Sequence, residues 1–108
     1  MSTFDEREKG YEAKYVHDEA TLFKIMSRRN KLLGLWVAER MGKAGADADS
    51  YAREVVMADL DEPGEEDVFR KVRGDLDKST AHVTDNEIRR QMADLRETAR
   101  QQVMSETK

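Results

Sequence analysis

The chain has 108 residues, 38% of them hydrophobic and 39% charged, with a formal net charge of −4 and no cysteine. That length holds one domain with one modest core, and the missing thiols exclude disulfides and thiolate metal sites. The acidic balance argues against nonspecific attraction to nucleic acid or to an anionic membrane surface.

Residues 1–19 carry Phe4, Tyr11 and Tyr15 at spacings of seven and four, with Leu22 seven further on. Nearly all positions between them are charged or small, and Gly10 lowers helix propensity in the middle. Such a stripe is too sparse to hold itself in a fold. The residues alone leave two readings open: a frayed terminus, or a flexible segment that becomes an amphipathic helix when a partner supplies the groove. Met1 to Gly10 lacks the apolar core of a signal peptide, and no run approaches the roughly 20 apolar residues that span a bilayer. A cytoplasmic address without direct membrane insertion is the expectation.

The first well-supported helix covers about residues 20–41. Leu22, Met26, Leu33, Trp36 and Val37 set its apolar stripe, widened by Ile25, Leu32 and Met41. Leu33 and Trp36 are expected in the core, with Gly34 permitting a close helix approach and Arg28 and Lys31 pointing outward. Arg29 interrupts the stripe, so it is either a snorkelling edge residue or half of an ion pair. Gly42 ends the helix, since it can take the left-handed conformation of a C-cap. Gly42-Lys43 is not a phosphate loop: Val37 and Ala44 stand where glycine and a hydroxyl are needed.

A second helix is expected over about 50–61, with Tyr51, Val55 and Ala58 on one stripe, flanked by Ala52, Val56 and Leu60. Asp47 to Ser50 would offer acceptors to its first amides, and Pro63-Gly64 ends it. The acidic run from Asp59 to Asp67 fails as a calcium loop, because Arg70 occupies the place of the bidentate glutamate. A third helix opens on Glu65, Glu66 and Asp67, favourable at a positive helix end, and turns Val68, Phe69, Val72 and Leu76 inward. Thr84-Asp85-Asn86-Glu87 reads as a capping box, with Val83 and Ile88 spaced as a hydrophobic staple. Ile88, Met92, Leu95, Ala99 and Val103 continue that fourth helix.

The expected fold is therefore all-α, a four-helix bundle over 20–108 preceded by a flexible segment over 1–19. His17 and His82 lack further zinc ligands, and no nucleophile elbow or glycine-rich cofactor turn occurs. No catalytic residue, metal or cofactor is expected, and the chain is read as a binding protein rather than an enzyme. The block Arg28-Arg29-Asn30-Lys31-Leu32-Leu33-Gly34-Leu35-Trp36 is the densest signal, and Arg28, Arg29 and Lys31 are candidate anchoring or anion contacts.

This block, with Phe4-Asp5-Glu6-Arg7-Glu8, His17-Asp18-Glu19, Tyr51-Ala52-Arg53-Glu54-Val55-Val56, Glu66-Asp67-Val68-Phe69-Arg70-Lys71-Val72 and Ile88-Arg89-Arg90, resembles the zeta-type inhibitor subunit of the F1Fo-ATP synthase of alphaproteobacteria. The resemblance covers nearly the whole chain in order. It implies a four-helix bundle whose N-terminal segment becomes helical on entering a catalytic alpha/beta interface of F1 near the central gamma rotor. ATP hydrolysis is blocked there, and synthesis is opposed much less. On that footing Phe4, Arg7, Tyr11, Lys14 and Tyr15 are the expected partner contacts, and the protein sits peripherally on the membrane-attached synthase. The competing readings are a helical module binding a nucleotide or another protein, and a nucleic-acid binder using Arg89 and Arg90. Overall acidity weighs against the last.

Overall fold

The computed structural model describes residues 19–61 and 64–106, which form four helices: α1 (Glu19–Arg40), α2 (Gly45–Asp61), α3 (Glu65–Asp77) and α4 (Asp85–Glu106). No strand occurs among the described residues. α1 and α4 have 22 residues each, about 33 Å at helical rise. Each helix runs opposite to the one before it. Asn30 reaches Asp59, Glu54 meets Lys71, and Arg73 meets Asp85. α1 packs mainly against α2 and α4, so the expected all-α bundle is what forms.

The core joins Leu33 and Val37 of α1, Val55 of α2, Val68, Val72 and Leu76 of α3, and Ile88 and Met92 of α4. A smaller cluster of Ile25, Ala99 and Val103 closes the end where α1 begins and α4 finishes. Full burial of one such side chain is worth about 1.5–3 kcal/mol.

The Gly42 stop is formed in full, and the Thr84 cap in its main bond. After α1, the Gly42 amide donates to Glu39 O (3.1 Å) and the Lys43 amide to Ala38 O (2.8 Å). That pair of bonds is a Schellman motif, and Gly42 takes the positive φ it needs, 79°. Ahead of α4, the Glu87 amide donates to Thr84 Oγ1 (3.1 Å). The Glu87 carboxylate turns back to accept from the Thr84 hydroxyl (3.2 Å), whereas a full capping box would place it on the Thr84 amide. Val83 and Ile88 are both buried in the same core, as a staple requires. Replacing Thr84 with alanine therefore lowers the free energy of unfolding by about 1 kcal/mol. Urea titration reads this directly, and an unchanged midpoint would mean that the cap is idle.

Several details differ from expectation. α2 starts at Gly45 rather than near Ser50: Ala46 and Ala48 are strong helix formers, and Ala48 packs against the core. The buried face of α1 is centred on Ile25, Arg29, Leu33 and Val37, with Asn30, Gly34 and Ala38 beside them. Leu22, Met26 and Trp36 lie at its edges, only partly buried. α1 is covered on two sides, so its inward face is wider than one stripe and takes in polar residues. Trp36 caps the rim of the core, with the Arg40 guanidinium 5.2 Å from its ring centroid. Leu60 is exposed.

Candidate functional site

α1 presents Arg28, Arg29, Asn30 and Lys31 in succession, and 100° per residue sends them in different directions. Arg29 points inward and is 1% exposed. Its Nε donates to Asn30 Oδ1 (2.8 Å) and its Nη2 to Glu65 Oε1 (2.8 Å). Its Nη1 lies 3.5 Å from the Met92 carbonyl oxygen. Asn30, equally buried, donates from Nδ2 to Asp59 Oδ2 (2.9 Å), while Asp59 Oδ1 accepts from the Gly64 amide (3.3 Å). The pair thus clamps the end of α2 and the start of α3 onto α1. Of the two roles open to Arg29, the ion pair is the one realised.

Arg28 was expected to point outward but is only partly exposed. Its guanidinium forks onto Glu106 (2.8 and 2.9 Å) and also donates to Gln102 Oε1 (2.8 Å). The hydrogen bond from Arg28 holds the Glu106 carboxyl below the usual carboxylate range. Arg28 thereby ties the first half of α1 to the end of α4. Lys31 is exposed. Of the three cations singled out as anchoring or anion contacts, one is buried, one is held by a carboxylate and one faces solvent. Phe4, Arg7, Tyr11, Lys14 and Tyr15, with His17, lie outside the described residues.

The exposed side of α1 and α2 carries apolar side chains that the helical stripes do not use. Phe23, Met57 and Leu60 are the large apolar side chains left exposed among the described residues, at 56%, 54% and 46%. One groove there is lined by Phe23, Ser27, Lys31 and Val56. A second, lined by Lys31, Arg53, Val56 and Met57, continues from it through the shared Lys31 and Val56. Leu60 stands one turn beyond Val56 on α2, toward the end of the bundle where α1 begins. A usable signal was present in the sequence. Val55, Val56 and Met57 are consecutive and sweep about 200° of a helix, so they cannot all face one core. Leu22, Phe23, Ile25 and Met26 crowd α1 in the same way.

On the opposite side, Tyr51 donates from its hydroxyl to Asp75 (2.8 Å), and Lys71 bridges Asp75 (2.9 Å) and Glu54 (3.1 Å). Burial, reinforced by the Asp75 contact, pushes the Tyr51 phenol far above its ordinary value. It stays a proton donor that fastens α2 to α3. Arg73 similarly straps the α3–α4 connection, donating to Val83 O (2.7 Å) and to Asp85 (2.9 Å). These polar clusters are closed on themselves. Among the described residues, the groove between α1 and α2 remains open, apolar along its length and edged by Lys31, Asp49 and Arg53, a make-up suited to contact with another macromolecule.

A model of the family described as ATPase inhibitor subunit zeta matches residues 1–102. A structure solved by solution NMR is 51% identical to the chain, covering 78% of it and 95% of its own length, with a TM-score of 0.69. No curated protein matches.

Proposed function

Because the chain belongs to the ATPase inhibitor subunit zeta family, a family of regulatory subunits, we propose that it restrains ATP hydrolysis by inserting its N-terminal segment into a catalytic alpha/beta interface of F1. The observation that carries this reading is the extent of the family match. It runs through residues 1–102 and so takes in the segment ahead of α1 together with the bundle. The spacing of Phe4, Tyr11 and Tyr15 supports it, since these rings share one helical face and could bury in a groove while Arg7 and Lys14 pair with its rim.

In this mechanism the segment folds as it binds, and its helix props one interface open so that bound ATP is not turned over. The gamma rotor closes that interface during hydrolysis; turned the other way it opens the interface and expels the helix. The bundle stays outside and slows escape. No helix among the described residues is long and apolar enough to cross a membrane, which suits a peripheral position on the synthase.

The test is ATPase activity of cognate F1 titrated with the full chain, with a chain lacking residues 2–18, and with the full-length triple variant Phe4→Ala, Tyr11→Ala, Tyr15→Ala. Both altered chains lose inhibition by at least about 100-fold in half-inhibiting concentration, as when several buried anchors are removed together. Their thermal melts stay close to that of the parent. A truncated chain that inhibits as well as the parent would move the block to the bundle itself. A parent that does not inhibit would sink the reading altogether.

A further inference from the structure

The groove between α1 and α2 has no occupant among the described residues, and three observations say what it is built to hold. First, it is apolar with an edge on which cations outnumber carboxylates. Phe23, Val56 and Met57 line it; Glu106 is taken by Arg28, which leaves Asp49 to set against Lys24, Lys31 and Arg53. Lys31 and Arg53 stand along it, and among the described residues neither makes an ion pair. Second, these free cations occur on a chain whose formal net charge is −4. Most other arginines of the bundle are engaged by carboxylates, as Arg28, Arg29, Arg73 and Arg89 are. An unpaired pair of cations beside exposed apolar side chains is complementary to an apolar depression rimmed by carboxylates. Third, the groove lies where the proposed inhibitory segment leaves the bundle. Phe23 is four residues, about 6 Å of helix, beyond Glu19, the first residue of α1.

We propose that the Phe23–Val56–Met57 groove, edged by Lys31 and Arg53, docks the bundle onto an acid-rimmed apolar patch of F1 beside the interface that receives the N-terminal segment. The inference rests on the inhibitory reading above and names the second contact that the reading needs. A partner gripping residues just ahead of Glu19 comes within about a helical turn of Phe23, the near end of this groove, so both contacts can form at once. The groove then acts as the tether. Once one contact is made, the other becomes intramolecular, and its local concentration keeps the segment in place. Residence time depends on the groove, and the block itself depends on the segment.

The experiment uses full-length chains and cognate F1. Two variants alter the groove, Phe23→Ser with Met57→Ser, and Lys31→Glu with Arg53→Glu. One control reverses two exposed cations at the opposite end of the bundle, Lys43→Glu with Lys78→Glu. Thermal melts of all the variants stay near that of the parent, since every altered side chain is exposed. Each groove variant raises the half-inhibiting concentration at least tenfold and speeds dissociation correspondingly, while saturating protein still reaches the parent's maximal inhibition. The control moves neither value by more than about twofold. A benzophenone cross-linker at position 57 joins an F1 subunit, and one at position 78 does not.

Unchanged inhibition by the groove variants would overturn the docking proposal and leave the inhibitory reading intact, whereas a parent that fails to inhibit would remove the reading on which it rests. An equal shift in the control would reduce the effect to long-range charge, and overturn the proposal as well. Two further results would assign the groove to another occupant. One is a dimer of the free parent that the groove variants abolish. The other is movement of the Met57 methyl resonance in the free protein when residues 2–18 are deleted.

Discussion

Replacing Gly34 with valine destabilises the free protein by about 3 kcal/mol, the upper end of what overpacking a close contact costs. A Cβ built on Gly34 would lie 2.6 Å from the Ala52 Cα and 3.2 Å from both the Ala52 Cβ and a Val55 methyl. The first of these is backbone, which no rotamer change can move. α1 and α2 must separate, and with them Leu33, Val37 and Val55 lose contact in the main core. Alanine at the same position sets two effects in opposition. Helix propensity favours it by about 1 kcal/mol, yet its methyl meets the same backbone atom. The clash wins, so Gly34→Ala is also destabilising, by less than the valine. Adding Ala52→Gly removes the 3.2 Å methyl contact but not the 2.6 Å one, and restores only part of the loss. Urea unfolding of the three variants checks the series. A Gly34→Ala protein more stable than its parent would show that the two helices separate at little cost.

Glu65→Ala is the second large loss expected, about 3 kcal/mol. Removing one member of a buried pair leaves the other charge uncompensated, commonly at about 3–5 kcal/mol. The lower end applies because the two ends differ in burial: the Arg29 side chain is 1% exposed and that of Glu65 50%. Water can therefore reach part of the vacated space, although Arg29 itself stays inside. In an Arg29→Met background the same Glu65→Ala change falls within about 0.5 kcal/mol, as for an ordinary surface substitution. The difference between the two backgrounds is the coupling energy of the pair. Glu65→Ala losses of equal size in both backgrounds would mean that Glu65 acts through the start of α3 and not through Arg29.

Helix type, the end of α1 and the start of α4 were legible because their causes are local, whereas the start of α2 was placed about five residues late. Gly42 terminates α1 by a conformation that its missing Cβ allows, and Thr84 and Glu87 start α4 within one turn of chain. The close approach at Gly34 was legible too, since a glycine inside an otherwise apolar helix face needs a packing reason. What failed was the direction in which individual side chains face. Trp36, Leu22 and Met26 all match a helical period with Leu33, yet period alone fixes a stripe only to within a residue either way. Which edge is covered depends on how far α2 and α4 wrap around α1. Phe23 and Met57 were missed for the same reason, although three consecutive apolar residues at 55–57 already implied that one must face out.

An all-α chain, the turns that divide it and the family to which it belongs were readable from the residues alone. These follow from spacing, composition and caps, which act over a few residues. The fates of the three neighbouring cations were settled by packing. Arg29 is buried against Glu65, 36 positions away, and Arg28 is held by Glu106, 78 positions away. Lys31 is left to edge the groove beside Arg53. No local rule distinguishes these cations, because each depends on which distant carboxylate the packing of α1 between α2 and α4 brings within about 3 Å, the distance at which a charged hydrogen bond forms.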